Sequence, residues 1–177
     1  EIFPNILNCL KDSDAFVRKN AATCIREVAK HTPELAKLIV NSGGAAALVD
    51  FVSEAQGNAT LPGIMAVGYI AAFSETLALA IIVSKGVAPL KEALVTEPED
   101  HIKAASAWSL GQIGRHTPDH ARALAEGDVL RHLLACFVHE DSSEDLKTKS
   151  KRALKAILAK CTHLQALQPL LREAPTK

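Results

Sequence analysis

Apolar residues step along this chain by three and four positions: Ala22, Ile25 and Val28, then Ile64, Val67 and Ile70, then Ala107, Leu110 and Ile113. That spacing gathers them on one side of an α-helix and predicts three long helices with a buried stripe. The stripes are copies of one another. NAATCIREVAKHTPELA, from Asn20, lies over ASAWSLGQIGRHTPDHA, from Ala105, at a constant offset of 85 residues, so His31, Thr32 and Pro33 fall on His116, Thr117 and Pro118. Midway, IMAVGYIAAFSETLALA places Val67, Ile70 and Ser74 where Ile25, Val28 and Thr32 stand, which sets the period at 42 to 43 residues. A weaker fourth copy, RALKAILAKCTHLQALQPLL, has a register ambiguous by one residue between Ala153 and Thr162.

Each copy divides into three helical stretches. Thr32-Pro33, Ser74-Glu75 and Thr117-Pro118 put a hydroxyl before a proline or an acid, the pattern of a capped helix start. The short helices that begin there are expected to end at Gly43-Gly44, Gly86 and Gly127, where glycine accepts a positive φ and lets the chain turn. Second helices follow in AAALVDFV and VAPLKEAL and stop at the polar loops KDSD, SEAQGNAT, TEPED and HEDSSED. Thr96 with Glu99, and Ser142 with Asp145, have the spacing of a capping box for the third helix. Gly68 and Gly111 occupy matching places on that helix and are read as points of close helix approach.

No stretch reads as a strand, so the expected fold is all-α: a right-handed α-solenoid with three helices per repeat of about 42 residues. One such solenoid covers 1–177, with a partial repeat at 1–31, repeats at 32–74, 75–116 and 117–161, and a partial repeat at 162–177. Because the chain opens on a second-helix sequence, closes on a first-helix one and lacks an initiator Met, it is expected to be a fragment. Apolar faces at its two ends are expected to meet further repeats or a second copy.

Composition narrows the partners. Of 177 residues 48% are apolar, enough for a core, while twenty basic and twenty acidic residues cancel. Overall charge therefore draws the chain neither to nucleic acid nor to an anionic membrane, and its ligands are expected to be other proteins. No apolar run approaches the roughly 18 residues of a membrane span and the first residues lack the pattern of a signal peptide, so an intracellular setting is expected. Cys9, Cys24, Cys136 and Cys161 form no CxxC pair and are read as buried thiols.

The triplet of helices, with A-x-W-x-L-G-x-I-G on the third, resembles the armadillo family; HEAT repeats are the neighbouring architecture, and the short first helix and glycine corner favour armadillo. RKNAATCIREVAKHTPELAKLIVNSGG, LPGIMAVGYIAAFSETLALAIIVSKGV, EPEDHIKAASAWSLGQIGRHTPDHARA and SSEDLKTKSKRALKAIL are similar to the armadillo proteins of the ciliary central apparatus. The resemblance implies a cytoskeletal scaffold in the cytoplasm, in the axoneme of cilia and flagella, with central-pair proteins and microtubules as partners.

Catalytic chemistry finds no foothold in the sequence. His116 and His120 are four apart, but Thr117-Pro118 breaks the helix between them and no third ligand is evident; His132 and His139 fare no better. Nucleophile elbow, P-loop and dinucleotide fingerprint are all missing, and neither an enzyme nor a cofactor is expected.

Third helices of armadillo proteins line a concave groove, and the candidate groove residues are Asn20, Thr23, Glu27, Met65, Tyr69, Trp108, Gln112 and Arg115. Import receptors of the family bind basic peptides with a Trp and an Asn four residues apart on successive third helices. Here the matching pairs are Thr23 with Glu27, Met65 with Tyr69 and Trp108 with Gln112, of which only the last approaches that pattern. A peptide or cargo adaptor of the import type is thus the second reading. A basic stripe, Lys147, Lys149, Lys151, Arg152 and Lys155, follows Glu140, Asp141, Glu144 and Asp145 and offers another surface, one suited to an acidic partner such as tubulin.

Overall fold

The computed structural model describes residues 1–162 and 164–173. Among them the chain forms α1 (Ile2–Cys9), α2 (Ala15–Ala29), α3 (Pro33–Asn41), α4 (Gly44–Glu54), α5 (Leu61–Phe73) and α6 (Glu75–Val83). It continues through α7 (Val87–Thr96), α8 (Asp100–Gly114), α9 (Pro118–Glu126), α10 (Val129–Val138), α11 (Glu144–Leu158) and α12 (Gln168–Glu173). Short 3-10 turns at Gly57–Ala59 and Leu164–Leu167 complete the described elements, and no strand occurs among them.

The third helices α2, α5, α8 and α11 pack in succession, each on the next, with the second helices α1, α4, α7 and α10 behind them and the first helices α3, α6 and α9 at the corners. This is the armadillo solenoid expected from the repeat. Ala22, Ile25, Ile64, Val67, Ile70, Ala107, Leu110 and Ile113 are buried, as the stripe requires, and Val28 is half-buried. Each layer therefore shields the apolar side of its neighbour, and stability accumulates interface by interface.

The first-helix starts follow the sequence closely. Thr32, Ser74 and Thr117 accept a hydrogen bond at 3.2 Å from the backbone N–H of Leu35, Leu77 and His120, respectively. Such a cap satisfies one of the donors that a helix N-terminus leaves open.

The corners follow a different rule from the expected one. A positive φ does occur at each, but only the first uses glycine: Gly43 has φ 89°, whereas the equivalent residues are Lys85 at 67° and Asp128 at 61°. Gly86 has φ −73° and Gly127 has φ −75°, so neither makes the turn. Gly44 and Gly86 serve packing instead, since a Cβ on Gly44 would lie 2.5 Å from the Ile39 carbonyl oxygen and one on Gly86 would lie 2.6 Å from Ile81 Cγ2. Gly127 sits two positions earlier in the corner than Gly44 and Gly86, and the residue matching those two in the third corner is Val129.

The third-helix caps also differ from expectation. Thr96 belongs to the last turn of α7 and donates to the Glu92 carbonyl at 2.9 Å, leaving Glu99 at the start of α8 without a side-chain cap. On α11 the cap is Ser143 rather than Ser142. Asp14, which sequence reading passed over, caps α2 by accepting from Phe16 N at 2.7 Å.

The fourth copy has a definite register. α8 and α11 are both 15 residues long and start 44 residues apart, and Ser106 and Ser150, also 44 apart, are both buried with a hydroxyl that finds no partner. Second helices α7 and α10 start only 42 residues apart, so the two additional residues lie in the loop before α11. Arg152 consequently takes the place of Trp108.

Cysteine burial is partial. Cys9, Cys136 and Cys161 are half-buried, and Cys24 is exposed, contrary to expectation. Cys24 matches Ser109, which faces the preceding third helix, and α2 has no preceding third helix among the described residues. The same end displays Ile2 at 69% and Phe16 at 76% exposure, the apolar end face anticipated from the sequence. Of the partial repeat at 162–177, residues 163 and 174–177 lie outside the described residues.

Candidate protein-binding groove

Equivalent residues of α2, α5, α8 and α11 stand in rows across the wall of third helices. One row is Thr23, Met65, Trp108 and Arg152; the next, one turn on, is Glu27, Tyr69, Gln112 and Ala156. None of the first seven is fully buried: Arg152 is exposed and the others are half-buried, with Asn20 exposed beside them. The expected residues Thr23, Glu27, Met65, Tyr69, Trp108 and Gln112 thus hold matching positions on successive third helices, and Arg152 falls in the first row with them.

At its centre is an aromatic pair. The Tyr69 and Trp108 rings meet edge to face, 5.1 Å between centroids and 68° between planes. Gly68 makes this contact possible, since a Cβ there would lie 2.5 Å from Ser109 Oγ and closer still to the Trp108 ring. Trp108 both packs between layers and contributes to the surface, with Met65 partly buried at its side.

Charge flanks the pair. Glu27 is held by Arg26 at 2.9 Å and by Lys30, and these two cations keep its carboxyl below the usual carboxylate range. Arg115, on the edge of the groove, is exposed and donates through Nη2 to the Ala72 carbonyl.

That bond belongs to a set the sequence reading did not find. α5 ends at Phe73, leaving its last carbonyls without helical donors. Arg115 takes the Ala72 carbonyl and His116 Nε2 donates to that of Ala71 at 2.6 Å, while His120 Nε2 donates at 2.8 Å to the carbonyl of Glu75 in the first turn of α6. With Nε2 of His120 committed as donor, its Nδ1 accepts from the Thr117 hydroxyl, which in turn accepts from His120 N. Ser109 Oγ donates to the Ile64 carbonyl at 2.8 Å from the same helix pair. The layer of α8 and α9 so ties itself to the layer of α5 and α6. The recurrence of His-Thr-Pro at 31–33 and 116–118 was the available signal, but it marks a local cap and gives no sign of the partner 45 residues away.

Burial lowers the His116 pKa, and the neighbouring charges of Arg115 and His120 act the same way against the raising effect of the Ala71 carbonyl. The His116 and His120 rings are 5.8 Å apart, and both Nε2 atoms are spent on carbonyls. Among the described residues no group of three or more His, Cys, Asp or Glu side chains is arranged to hold a metal ion.

On the opposite edge, layers are tied by Glu97 accepting from Gly57 N at 3.0 Å, by His101 and Asn58 at 2.7 Å, and by Asp100 accepting from Ser143 N at 2.7 Å. Near these ties a cleft of about 370 Å³ opens between α7 and α10, lined in part by Leu94, Val95, Cys136 and His139. Burial pushes the Cys136 thiol up, opposed by Lys103.

The five cations of α11 do not share one environment. Lys149 pairs with Asp145 at 2.9 Å, Lys147 reaches the Glu140 carbonyl at 3.4 Å, and Lys151 lies 5.8 Å from the Phe137 ring centre. Arg152 stands in the groove row, whereas Lys155, exposed, takes the place of Gly111. Among the described residues no single helix is long and apolar enough to cross a membrane.

A HEAT-repeat family model matches residues 2–32. That span is α1 and α2, a second and third helix without a first, which is the two-helix form of a HEAT unit. Over 86 residues the chain is 61% identical to human sperm-associated antigen 6, a match covering 49% of this chain and 17% of that protein. The chain thus spans about a sixth of that relative's length. An engineered protein superposes with a TM-score of 0.89 at 19% identity, over 97% of this chain and 68% of its own. A designed armadillo repeat protein in complex with the peptide (KR)4 superposes with a TM-score of 0.81 at 18% identity, over 99% and 76%.

Proposed function

For this armadillo-repeat solenoid, similar over half its length to sperm-associated antigen 6, we propose the role of a non-catalytic scaffold in the central apparatus of the motile axoneme. The observation that carries the reading is the 61% identity to that relative, joined to a fold whose third helices pack in one continuous wall. Scaffold action needs surfaces that are rigid before the partner arrives, because a preorganised surface loses less entropy on binding. The carbonyl bonds of Arg115, His116 and His120 to the preceding layer contribute to that rigidity. Central-pair proteins and microtubules are the proposed partners, reached through the groove, through the cations of α11, or through the apolar end at Ile2 and Phe16.

The import-type adaptor has less support. Its ladder needs repeated Trp and Asn rungs, since affinity for an extended peptide comes from repeating the same contact. Here the rows offer one Trp, and Glu27, Tyr69 and Gln112 in place of the asparagines.

Cross-linking mass spectrometry on intact axonemes tests the role. Cross-links from the groove or the α11 lysines to central-pair proteins are expected, and their confinement to outer-doublet proteins, or their absence with the chain found outside the axoneme, would sink it. Charge reversal at Lys149, Arg152 and Lys155 is expected to weaken microtubule pelleting in a salt-sensitive way; unchanged pelleting retires the microtubule contact.

A further inference from the structure

We propose that the groove selects an extended acidic segment with interleaved apolar side chains, a specificity opposite in charge to the (KR)4 peptide held by the designed relative. The inference deepens the scaffold reading and rests on it for the use of the groove. Three observations carry it.

The first is the charge of the rows. Among the eight row positions the one carboxylate is Glu27, and it is already held by Arg26 and Lys30. A carboxylate carrying two cationic partners has little attraction left for a third, so a basic peptide meets no unengaged anion in the rows. Arg152 is exposed at the Trp108 position of the next layer, and Arg115 is exposed on the edge. The balance along the wall is cationic.

The second is the apolar platform. Met65, Tyr69 and Trp108 are contiguous and half-buried, with the aromatic pair fixed edge to face. Aromatic residues and Met at the centre of a surface, flanked by charge, are the composition of an interface core with its polar rim. The third is their order. The Arg26–Glu27–Lys30 cluster, two cations against one carboxylate, lies on the α2 side of the platform and Arg152 on the α11 side, so an extended chain crossing the layers would meet net positive charge, apolar platform and cation in turn. A strand alternates its side chains from face to face, so residues at every second position can read such a row.

Fluorescence anisotropy on the full chain with dye-labelled (ESFS)2, (ES)4 and (KR)4 peptides, and with oligo-dT as a plain polyanion, tests this; in (ESFS)2 every second residue is Glu or Phe in turn, so one face of the strand carries both. Saturable binding of (ESFS)2 is expected, weakened by salt, with (ES)4 weaker and (KR)4 giving none. Arg152→Glu, an exposed position whose thermal unfolding serves as the folding control, is expected to weaken (ESFS)2 roughly tenfold. Binding of (KR)4 or oligo-dT as tight as (ESFS)2, no binding of (ESFS)2, or indifference to Arg152→Glu overturns the proposal. None of these results touches the axonemal cross-links, so the scaffold role fails or stands separately.

Discussion

Lys85 turns its corner in the left-handed region at φ 67°, where glycine served at Gly43. An L side chain there costs about 1 kcal/mol relative to glycine. Lys85→Gly is therefore expected to stabilise the chain by up to about 1 kcal/mol in urea unfolding, with no change in the slope. Asp128 sits in the same region but pairs with Arg131 at 2.7 Å, so the same replacement there is expected to gain less. His116 supplies the pH-dependent counterpart. Its pKa is lowered on folding from 6.5, so in the unfolded chain it takes up a proton at a pH where the folded chain still does not. Its contribution to stability is then full above about pH 6.5 and is lost as pH falls toward the folded pKa. His116→Gln is expected to flatten the acid side of the plot of melting temperature against pH below about 6.5, and an unaltered slope would remove His116 from the inter-layer cap.

Helices were legible in this sequence to the extent that they obey local rules. Thr32, Ser74 and Thr117 act on donors within three residues, so their caps could be read from spacing. The third-helix caps were misplaced because Thr96 and Ser142 have the right local chemistry, yet the loops ahead of α8 and α11 differ by two residues and decide which residue stands at the helix start. Gly68 and Gly111 were readable as close-approach points by their matching positions, and the packing makes them strict. A Cβ on Gly111 would meet Ala153 Cα and Cβ, both at 2.9 Å. The obstacle includes backbone, which cannot swing aside as a side chain end can. Gly111→Ala is expected to destabilise by about 1–3 kcal/mol in spite of alanine's helix propensity, which by itself would gain about 1 kcal/mol. A variant more stable than the parent would show that α8 and α11 are not this close.

Across the whole molecule, the fold was legible because the 42-residue period requires only that equivalent positions repeat, whereas the groove was legible only in outline. Its rows came from the alignment of Thr23, Met65 and Trp108; Arg152 was assigned to a stripe because the register of the last copy was one residue uncertain, and the cap formed by Arg115, His116 and His120 joins residues about 45 apart that no local pattern connects. Stability in such a stack should be distributed in the same neighbour-to-neighbour way. Ala107 has 0% exposure and lies on α8, which packs on α5 to one side and on α11 to the other. Ala107→Asp places an unpaired carboxylate there at a cost of about 3–5 kcal/mol. Because α1 and α2 do not share that interface, hydrogen exchange should rise first in α5, α8 and α11 and reach α2 only through loss of α5. A soluble variant with unchanged thermal unfolding would contradict the register, and uniform loss of protection along the chain would show one cooperative unit in place of a stack of layers.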